Sequence, residues 1–305
     1  MTTARPAPLS PPSAGMALIA VLWMTAALSL LVAGMLSISR AEVKATQVRS
    51  DLAQATALGD AAIQLAVLDW QTRSPKPDRL LHTDYLIEGR PVAVRLVPAS
   101  GYVDLNTASQ ALLAVLLQFG GGLAPAEAET MARRIVDWRD RNEAELPGGA
   151  EAPAYAAAGV PWRPRNGSFL VPEDLMQVLG MDFDLYQRIR PLITVWAGGA
   201  PGINAYAAPP EVLYLAAQGK QDVAYRIAVA RDAGEQGVDL TQLEAAFVRN
   251  GTLGNILHVE ARLPLDTGRS AIRGRWLLLG ADPGGAPWRT IAVEPVRLRA
   301  DEARG

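Results

Sequence analysis

The N-terminal part of the chain carries one long, uninterrupted run of apolar residues. No charged residue lies between Arg5 and Arg40. An α-helix over residues 16–39 would be roughly 36 Å long, and the hydrocarbon core of a bilayer is ~30 Å thick. The pattern therefore predicts a helix that can span a membrane, preceded by a short polar, proline-rich segment that ends at Gly15.

Beyond Arg40 the apolar positions become periodic. They recur at steps of three and four residues, and polar residues occupy the other faces. The stripe consists of Val48, Leu52, Ala55, Gly59, Ala62, Ala66 and Trp70, widened by Ile63 and Val67. Two prolines at 75 and 77 end the pattern. We therefore predict one continuous helix over residues 16–71, whose second half packs on a sheet.

Alternating apolar and polar positions predict strands on both sides of a helical block. Residues 84–88 and 91–97 form a predicted hairpin around Gly89, and residues 102–106 continue it briefly. Later strands are predicted at 255–265, 271–279 and 288–298. Between them, helices are predicted at 109–119, 125–140, 172–179, 184–189, 210–218, 221–232 and 240–250. The chain therefore has an α+β pattern, in which helices interrupt a sheet.

The helical block contains an internal echo. The stretch 103–113 recurs one hundred residues later as 203–213, and in each copy an extended segment runs into a helix. Asn106 or Thr107 can cap the first helix, and the prolines at 209–210 suit the first turn of the second. The echo therefore predicts two helix starts of similar construction.

Composition excludes several kinds of chemistry. A net charge of −2 gives no general attraction to nucleic acid. The chain has no cysteine, so it forms no disulfide and no thiolate, and His82 and His258 stand far apart. We interpret both histidines as solvated or structural. No nucleophile elbow, phosphate-binding loop, zinc-protease pair or dinucleotide fingerprint is present, so we expect no enzyme activity.

The densest group of oxygen ligands lies between residues 137 and 151. It comprises Asp137, Asp140, Asn142, Glu143, Glu145 and Glu151. Calcium takes six to eight oxygen ligands, often carboxylates on a loop, but this spacing does not fit an EF-hand. The residues alone leave two interpretations open, a solvated acidic loop and a calcium site.

The segment from Gly15 onward resembles the start of general secretion pathway protein K, the large minor pseudopilin of type II secretion systems. The resemblance implies that a prepilin peptidase cleaves after Gly15 and that Met16 is then N-methylated. Ala20 stands at mature position five, where most pilins carry glutamate. A carboxylate in lipid is costly unless paired, so its absence suits a subunit with no other subunit ahead of it. The leader differs from the family pattern, because it is proline-rich and has one basic residue, Arg5.

The resemblance extends from residue 15 to about residue 299 and implies a fold. That fold is α+β, with a type IV pilin-like long N-terminal helix packed on an antiparallel sheet and a large inserted all-helical domain. The implied parts are a prepilin leader (1–15), a transmembrane and assembly helix (16–39), a pseudopilin α+β domain (40–105 and 251–305) and the inserted helical domain (106–250).

Calcium is also implied by the resemblance. Asp140, Asn142 and Glu151 fall on positions that match a calcium-binding loop in some homologues. Asn142 stands where an aspartate is usual, and the loss of one charge should weaken binding. A bound calcium ion would hold the two ends of this long loop together in a chain without disulfides.

The implied function is that of a minor pseudopilin at the tip of the type II secretion pseudopilus, which initiates assembly and supports protein export across the outer membrane. The implied partners are the I- and J-type minor pseudopilins, the major pseudopilin, the prepilin peptidase and the inner-membrane assembly platform. The implied location is the inner membrane of a Gram-negative bacterium, with one membrane span and the soluble domain in the periplasm.

Two other classes of protein are alternatives, a membrane-anchored hydrolase and a DNA-uptake protein. Residues 106–108, the glycines 120–122 and the arginines 133–134 resemble a helix-hairpin-helix module that grips phosphate. However, Glu127 and Glu129 crowd the same segment, and the whole chain is acidic. Counterion release on DNA would therefore be small.

Overall fold

The computed structural model describes residues 14–73, 77–235, 237–249, 254–265, 268–280 and 284–300. The chain divides into two units, residues 1–54 and 55–305. Helix α1, Ala14–Thr72, begins in the first unit and ends in the second. The long helix predicted over residues 16–71 is therefore confirmed. The domain boundaries proposed at 40, 106 and 250 stay predictions.

Within the second unit, α1 packs on a sheet through one narrow face. Its buried residues are Ala55, Leu58, Gly59, Ala62, Ile63, Ala66, Val67 and Trp70. Small residues allow a close approach, since a Cβ atom on Gly59 would lie 2.8 Å from the Cβ atom of Arg273. The predicted stripe is thus confirmed from Ala55 to Trp70, whereas Val48, in the first unit, is exposed.

The strands form one large antiparallel sheet and one small parallel pair. In chain order they are β1 Leu81–Ile87, β2 Arg90–Pro98, β3 Val103–Asp104, β4 Ile193–Thr194, β5 Ile256–Leu265, β6 Arg269–Leu279, β7 Trp288–Val293 and β8 Arg297–Ala300. The large sheet has the order β1-β2-β5-β6-β7, and β8 pairs with the first part of β6. The single strand predicted at 288–298 is therefore two strands.

The β1–β2 hairpin confirms its predicted turn. Ile87 pairs with Arg90, which leaves Glu88 and Gly89 as a two-residue loop. Both residues have positive φ, 51° and 74°. Such a turn matches the twist of the flanking strands and favours glycine at its second position.

Strand β3 does not extend this hairpin, which corrects the expectation for residues 102–106. A short 3-10 turn, Ala99–Gly101, follows β2 and redirects the chain. Val103 then pairs in parallel with Ile193. The segment after β2 therefore leaves the large sheet and enters the helical block.

The helical block is built from short helices. They are α2 Gln110–Val115, continued by a π-helical turn Leu116–Gly120, α3 Pro125–Arg139, α4 Ala152–Ala157, α5 Phe183–Ile189, α6 Pro210–Ala216 and α7 Gln221–Asp232, with a 3-10 turn at Pro172–Gln177. Helix α4 was not predicted. The helix predicted over 240–250 is wrong, because among residues 240–249, the described part of this segment, only Ala245–Phe247 forms a 3-10 turn and Val248 pairs with Ile203.

The second unit holds two hydrophobic cores on opposite faces of the large sheet. Side chains of α1 and the sheet, such as Ile63 and Val259, form one core. The other core lies in the helical block and includes Val97 and Trp276 from the sheet. The sheet is therefore covered by α1 on one face and partly by the helical block on the other.

Candidate functional site: apolar helix and acidic loop

The first candidate site is the exposed apolar segment of α1, Leu18–Met35. Its mean hydropathy is 2.2, none of its side chains is buried, and its length and composition suffice to cross a membrane. Its hydroxyl groups are satisfied within the helix, since Thr25 donates to the Leu22 carbonyl at 2.9 Å and Ser29 to the Thr25 carbonyl at 2.7 Å. The segment thus exposes almost no unsatisfied polar side-chain group to an apolar environment.

The predicted processing residues lie at the start of this helix. Gly15 and Met16 are in the first turn of α1. Their side chains, like residues 1–13, lie outside the described part of the structure. Ala20 is an exposed member of the apolar segment. Cleavage after Gly15 and methylation of Met16 stay predictions.

The internal echo is confirmed as two turns of the same construction. In the first, the backbone carbonyl of Asp104 accepts a hydrogen bond from Ala108 N at 2.8 Å, and its side chain accepts one from Asn106 N. In the second, the carbonyl of Asn204 accepts from Ala208 N at 2.9 Å, and its side chain accepts from the next residue but one. In both turns, the side chain of the first residue, Asp104 or Asn204, accepts a hydrogen bond within the turn and does not cap the helix that follows.

The expected caps differ in part from the observed ones. Ser109 caps α2 by accepting from Leu112 N at 3.2 Å. Asn106 instead binds the loop at Phe169 through its side-chain amide, and Thr107 lies inside the turn. Asn106 and Thr107 are therefore not helix caps. Pro210 occupies the first turn of α6, as predicted.

Two arginines close the turns, and no sequence pattern predicted them. Arg139, at the end of α3, donates to the carbonyls of Leu105 and Ala108. Arg231, near the end of α7, donates to the carbonyl of Ala208. The arginines follow their turns at different distances along the chain, so the one-hundred-residue offset of the echo gives no signal for them.

The second candidate site is the acidic loop after α3, which folds back on Asp137. That side chain is fully buried and accepts hydrogen bonds from Ala150 N at 2.8 Å and Leu146 N at 3.3 Å. A Cβ atom on Gly149 would lie 1.9 Å from Asp137 Oδ2. The carboxylate therefore fixes the return of the loop, and only glycine fits at position 149.

Glu151, at the end of this loop, is a buried carboxylate without a hydrogen-bond partner. Its exposure is 2%, and neither carboxylate oxygen has a partner among the described residues. Burial raises the pKa of Glu151 to about 7, and the neighbouring Asp137, Asp140 and further acidic groups raise it in addition. An unpaired buried carboxylate needs either a proton or a cation.

The structure brings the three predicted calcium residues into one loop. Asp140 accepts a hydrogen bond from Asn142 N at 3.1 Å, and Asn142 accepts one from Ala144 N at 2.7 Å. Asp140 lies close enough to Glu151 to affect its pKa. Asp137 belongs to the same charge cluster, although it is not among the three calcium residues that the family resemblance implies. Carboxylate, amide and carbonyl oxygens form a hard ligand set that fits calcium better than a softer metal.

A further cluster joins the sheet to the helical block. His258, Glu260 and Glu294 lie within 4.8 Å of one another. His258 is buried, its Nδ1 lies 2.7 Å from the Tyr102 hydroxyl, and its ring stacks on Trp276 at 4.4 Å. The prediction of a structural histidine is thus confirmed for His258, and His82 is exposed.

Arginines rather than a metal balance this cluster. Glu260 pairs with Arg95 and Arg297, and Glu294 pairs with Arg297 at 3.1 Å and with Arg190 at 3.8 Å. Burial alone would raise the pKa of Glu294, but His258 and the two arginines lower it to about 2. The three guanidinium groups satisfy both carboxylates, so the cluster is an ion-pair network.

An apolar N-terminal helix that continues into an α+β unit and packs on one face of an antiparallel sheet defines a pilin-like protein. Residues 95–198 match the family model for protein K of the type II secretion system. The resemblance found in the sequence is therefore confirmed over this segment, which includes the acidic loop.

Two individual proteins are also similar to this chain. Type II secretion system protein K of Pectobacterium carotovorum subsp. carotovorum is 35% identical over 77 residues, which are 25% of this chain and 24% of that protein. The match thus spans about a quarter of the length of that relative. A chain of the GspK-GspI-GspJ complex from enterotoxigenic Escherichia coli is 16% identical, with a TM-score of 0.49 over 84% of this chain and 98% of that chain.

Proposed function

We propose that this protein is a minor pseudopilin at the tip of a type II secretion pseudopilus. The observation that carries the proposal is the match to the protein K family model over residues 95–198. In addition, the N-terminal helix of the same chain exposes an apolar segment that is long enough to span a membrane. The protein initiates assembly and supports export across the outer membrane as a structural subunit without enzyme activity.

The apolar segment has two successive roles in this proposal. It holds the subunit in the inner membrane, with the remainder of the chain in the periplasm of a Gram-negative bacterium. On extraction, the exposed side chains of Leu18–Met35 pack against equivalent helices of other subunits. Ala20 provides no carboxylate that would need a partner ahead of it, which suits the end of the filament.

The helical block supports the same position. It covers part of the sheet face opposite α1, so this face is not free for lateral packing. A subunit of this construction fits the end of a helical filament better than its middle. There it would start assembly or contact cargo.

The proposed partners are the I- and J-type minor pseudopilins, followed by the major pseudopilin, the prepilin peptidase and the assembly platform. Co-expression of the full chain with I- and J-type subunits, followed by purification in detergent, tests the first step. We expect one complex that contains all three proteins. A chain that elutes alone and instead stays on DNA at physiological salt would contradict the proposal.

We also propose that the acidic loop binds calcium through Asp140, Asn142 and Glu151, beside Asp137. The support is the buried carboxylate of Glu151, which has no partner among the described residues and stands among further carboxylates. Bound calcium would supply positive charge that clamps the loop. Calcium at 100 times its dissociation constant should stabilise the fold by about 2.7 kcal/mol.

Thermal unfolding of the full chain in detergent, with chelator or with calcium, tests this site. We expect calcium to raise the melting temperature of the wild type but not of Glu151→Gln. Glu129→Gln, a matched change on the exposed side of α3, should keep the calcium response. An equal rise of the melting temperature with calcium in Glu151→Gln would show that Glu151 does not bind calcium.

A further inference from the structure

A groove separates the helical block from the uncovered part of the large sheet. Its volume is about 880 Å³, within the usual range of ligand clefts, about 300–1,000 Å³. The helical block contributes Phe119, Tyr214 and Tyr225 to its wall, and the sheet contributes Ile272 and residues of β8. We call this feature the insert groove.

Strand β8 forms an exposed border of the insert groove. Residues 297–299 line the groove, and all four residues of the strand are exposed. β8 pairs with β6, and among the described strands it has no second neighbour. Such an edge presents backbone N–H and C=O groups to an incoming strand.

The lining of the groove carries a net positive charge, whereas the whole chain carries a net negative charge. The charged residues of its lining are Arg95, Arg188, Arg297, Arg299, Glu211 and Glu260. Four arginines thus face two glutamates, whereas the chain carries −2. Arg95 and Arg297 are paired with Glu260, and Arg297 is also paired with Glu294, whereas Arg188 has no carboxylate partner among the described residues. A carboxylate that enters the groove therefore meets a positive field.

Two of the arginines, Arg188 and Arg299, line the groove beside the path of an added strand. Because side chains alternate along a strand, Arg297 and Arg299 share one face of β8. Across the groove, Arg188 is exposed, and its Nε donates to the Gly121 carbonyl at 2.7 Å. That bond holds the guanidinium group at the wall. Tyr225, 68% exposed, offers an aromatic surface between charged groups.

We propose that the insert groove binds an extended, acidic segment of a partner protein, which adds to β8 as a further strand. Backbone hydrogen bonds to β8 hold the segment, its carboxylates meet the arginines, and its apolar side chains pack on the tyrosines. The proposal goes beyond the filament role and does not depend on it, because it concerns a surface separate from the apolar helix.

Fluorescence anisotropy with the full chain in detergent tests the proposal. The probe is a labelled eight-residue peptide that alternates glutamate with valine and tyrosine. One control peptide has lysine in place of every glutamate, and another has proline in place of two central valines. Since proline lacks an N–H group, it blocks strand addition. We expect the acidic peptide to bind at least tenfold more tightly than either control.

Variants of the protein locate the binding surface. Arg188→Glu and Arg299→Glu should each weaken binding of the acidic peptide about tenfold, which corresponds to about 1.4 kcal/mol. Arg163→Glu makes the same charge change on an exposed loop outside the groove and should leave binding unchanged. If Arg299→Glu unfolds the protein, Tyr225→Ala replaces it, because that side chain is largely exposed.

Four results would overturn the proposal. Equal binding of the lysine peptide would show that the groove does not select for acidic residues. Equal binding of the proline peptide would show that the segment does not add to β8 as a strand. Complete competition by oligothymidylate at equal concentration would make the groove a general polyanion site. An equal loss in Arg163→Glu and Arg299→Glu would show a change in net charge rather than a binding site.

Discussion

Two glutamates, Glu151 buried and Glu294 half-buried, show how strongly neighbouring residues decide the charge state of a carboxyl group. Glu294, among arginines and His258, has its pKa lowered to about 2, whereas burial and neighbouring carboxylates raise the pKa of Glu151 to about 7. The first is a settled ion pair, and the second is a site that requires a proton or a cation. This contrast separates a structural cluster from a candidate binding site.

The pKa of Glu151 predicts an unusual dependence of stability on pH. The folded pKa, about 7, is above the ordinary value of 4.5, so the folded state holds more protons between these values. Without metal, the contribution of Glu151 to stability is therefore greatest at acidic pH and is lost as pH rises toward 7. Melting temperatures measured in chelator between pH 5 and pH 8 check this.

Glu151→Gln should flatten this decline, because glutamine has no proton to lose. Glu129→Gln is exposed and should keep the wild-type slope. Excess calcium should offset the decline in the wild type, since metal binding favours the ionised carboxylate. An unchanged slope in Glu151→Gln would show that another group is responsible.

The sequence identified the acidic loop but not its internal geometry. The acidic group between residues 137 and 151 is recognised because it is dense in sequence, and the family resemblance selects Asp140, Asn142 and Glu151 within it. The buried position of Asp137 and the close packing of Gly149 depend on how the loop folds back. A local pattern contains no signal for that return.

At the scale of elements, helices and strands with a regular pattern were predicted well. Helix α7 has the bounds expected for it, and α1 differs by two residues at its start and one at its end. Periodicity suffices for α7 and for the second half of α1 because one face of each is buried in a core, whereas the first half of α1 is marked by its continuous apolar run. The β1–β2 turn was equally clear, because positive φ at its second position favours glycine.

The failures at this scale have physical causes. Leu240, Leu243 and Phe247 have helical spacing. However, the Phe247 carbonyl accepts a hydrogen bond from Ile203 N, and Arg249 N donates one to the Ile203 carbonyl. Long-range pairing thus overrides a local pattern. Helix α4 was missed because Tyr155 is its only buried residue among the six, so no apolar stripe marks it.

The close packing of α1 on the sheet gives a direct prediction. Gly59→Ala would place a Cβ atom 2.8 Å from the Cβ atom of Arg273. Overpacking of this kind should cost about 1–3 kcal/mol, which exceeds the helix-propensity gain of about 1 kcal/mol from alanine. Urea unfolding of the full chain in detergent measures it.

Gly34→Ala is the matched control, because it lies in the same helix and its added methyl group would have no atom within 4 Å. We expect that variant to be as stable as the wild type or slightly more stable. A stabilising effect of Gly59→Ala would mean that α1 does not pack as closely on β6 as the structure shows.

At the scale of the whole molecule, the functional interpretation rests on the order in which helices and strands follow one another along the chain. An apolar helix, a hairpin, a helical block and a final set of strands were all expected from the sequence. The α+β, pilin-like fold is confirmed, and residues 95–198 match protein K. The insert groove was not foreseen, since it forms between β8 and helices far from it in sequence.

The mass and N-terminal sequence of the mature protein, purified from membranes, test the central claim most directly. The account predicts a chain that begins at N-methylated Met16, because processing after Gly15 precedes entry into a filament. A chain that still begins at Met1 would instead be a static membrane anchor. A cut beyond Arg40 would release a secreted protein, and either of these results would contradict the pseudopilin proposal.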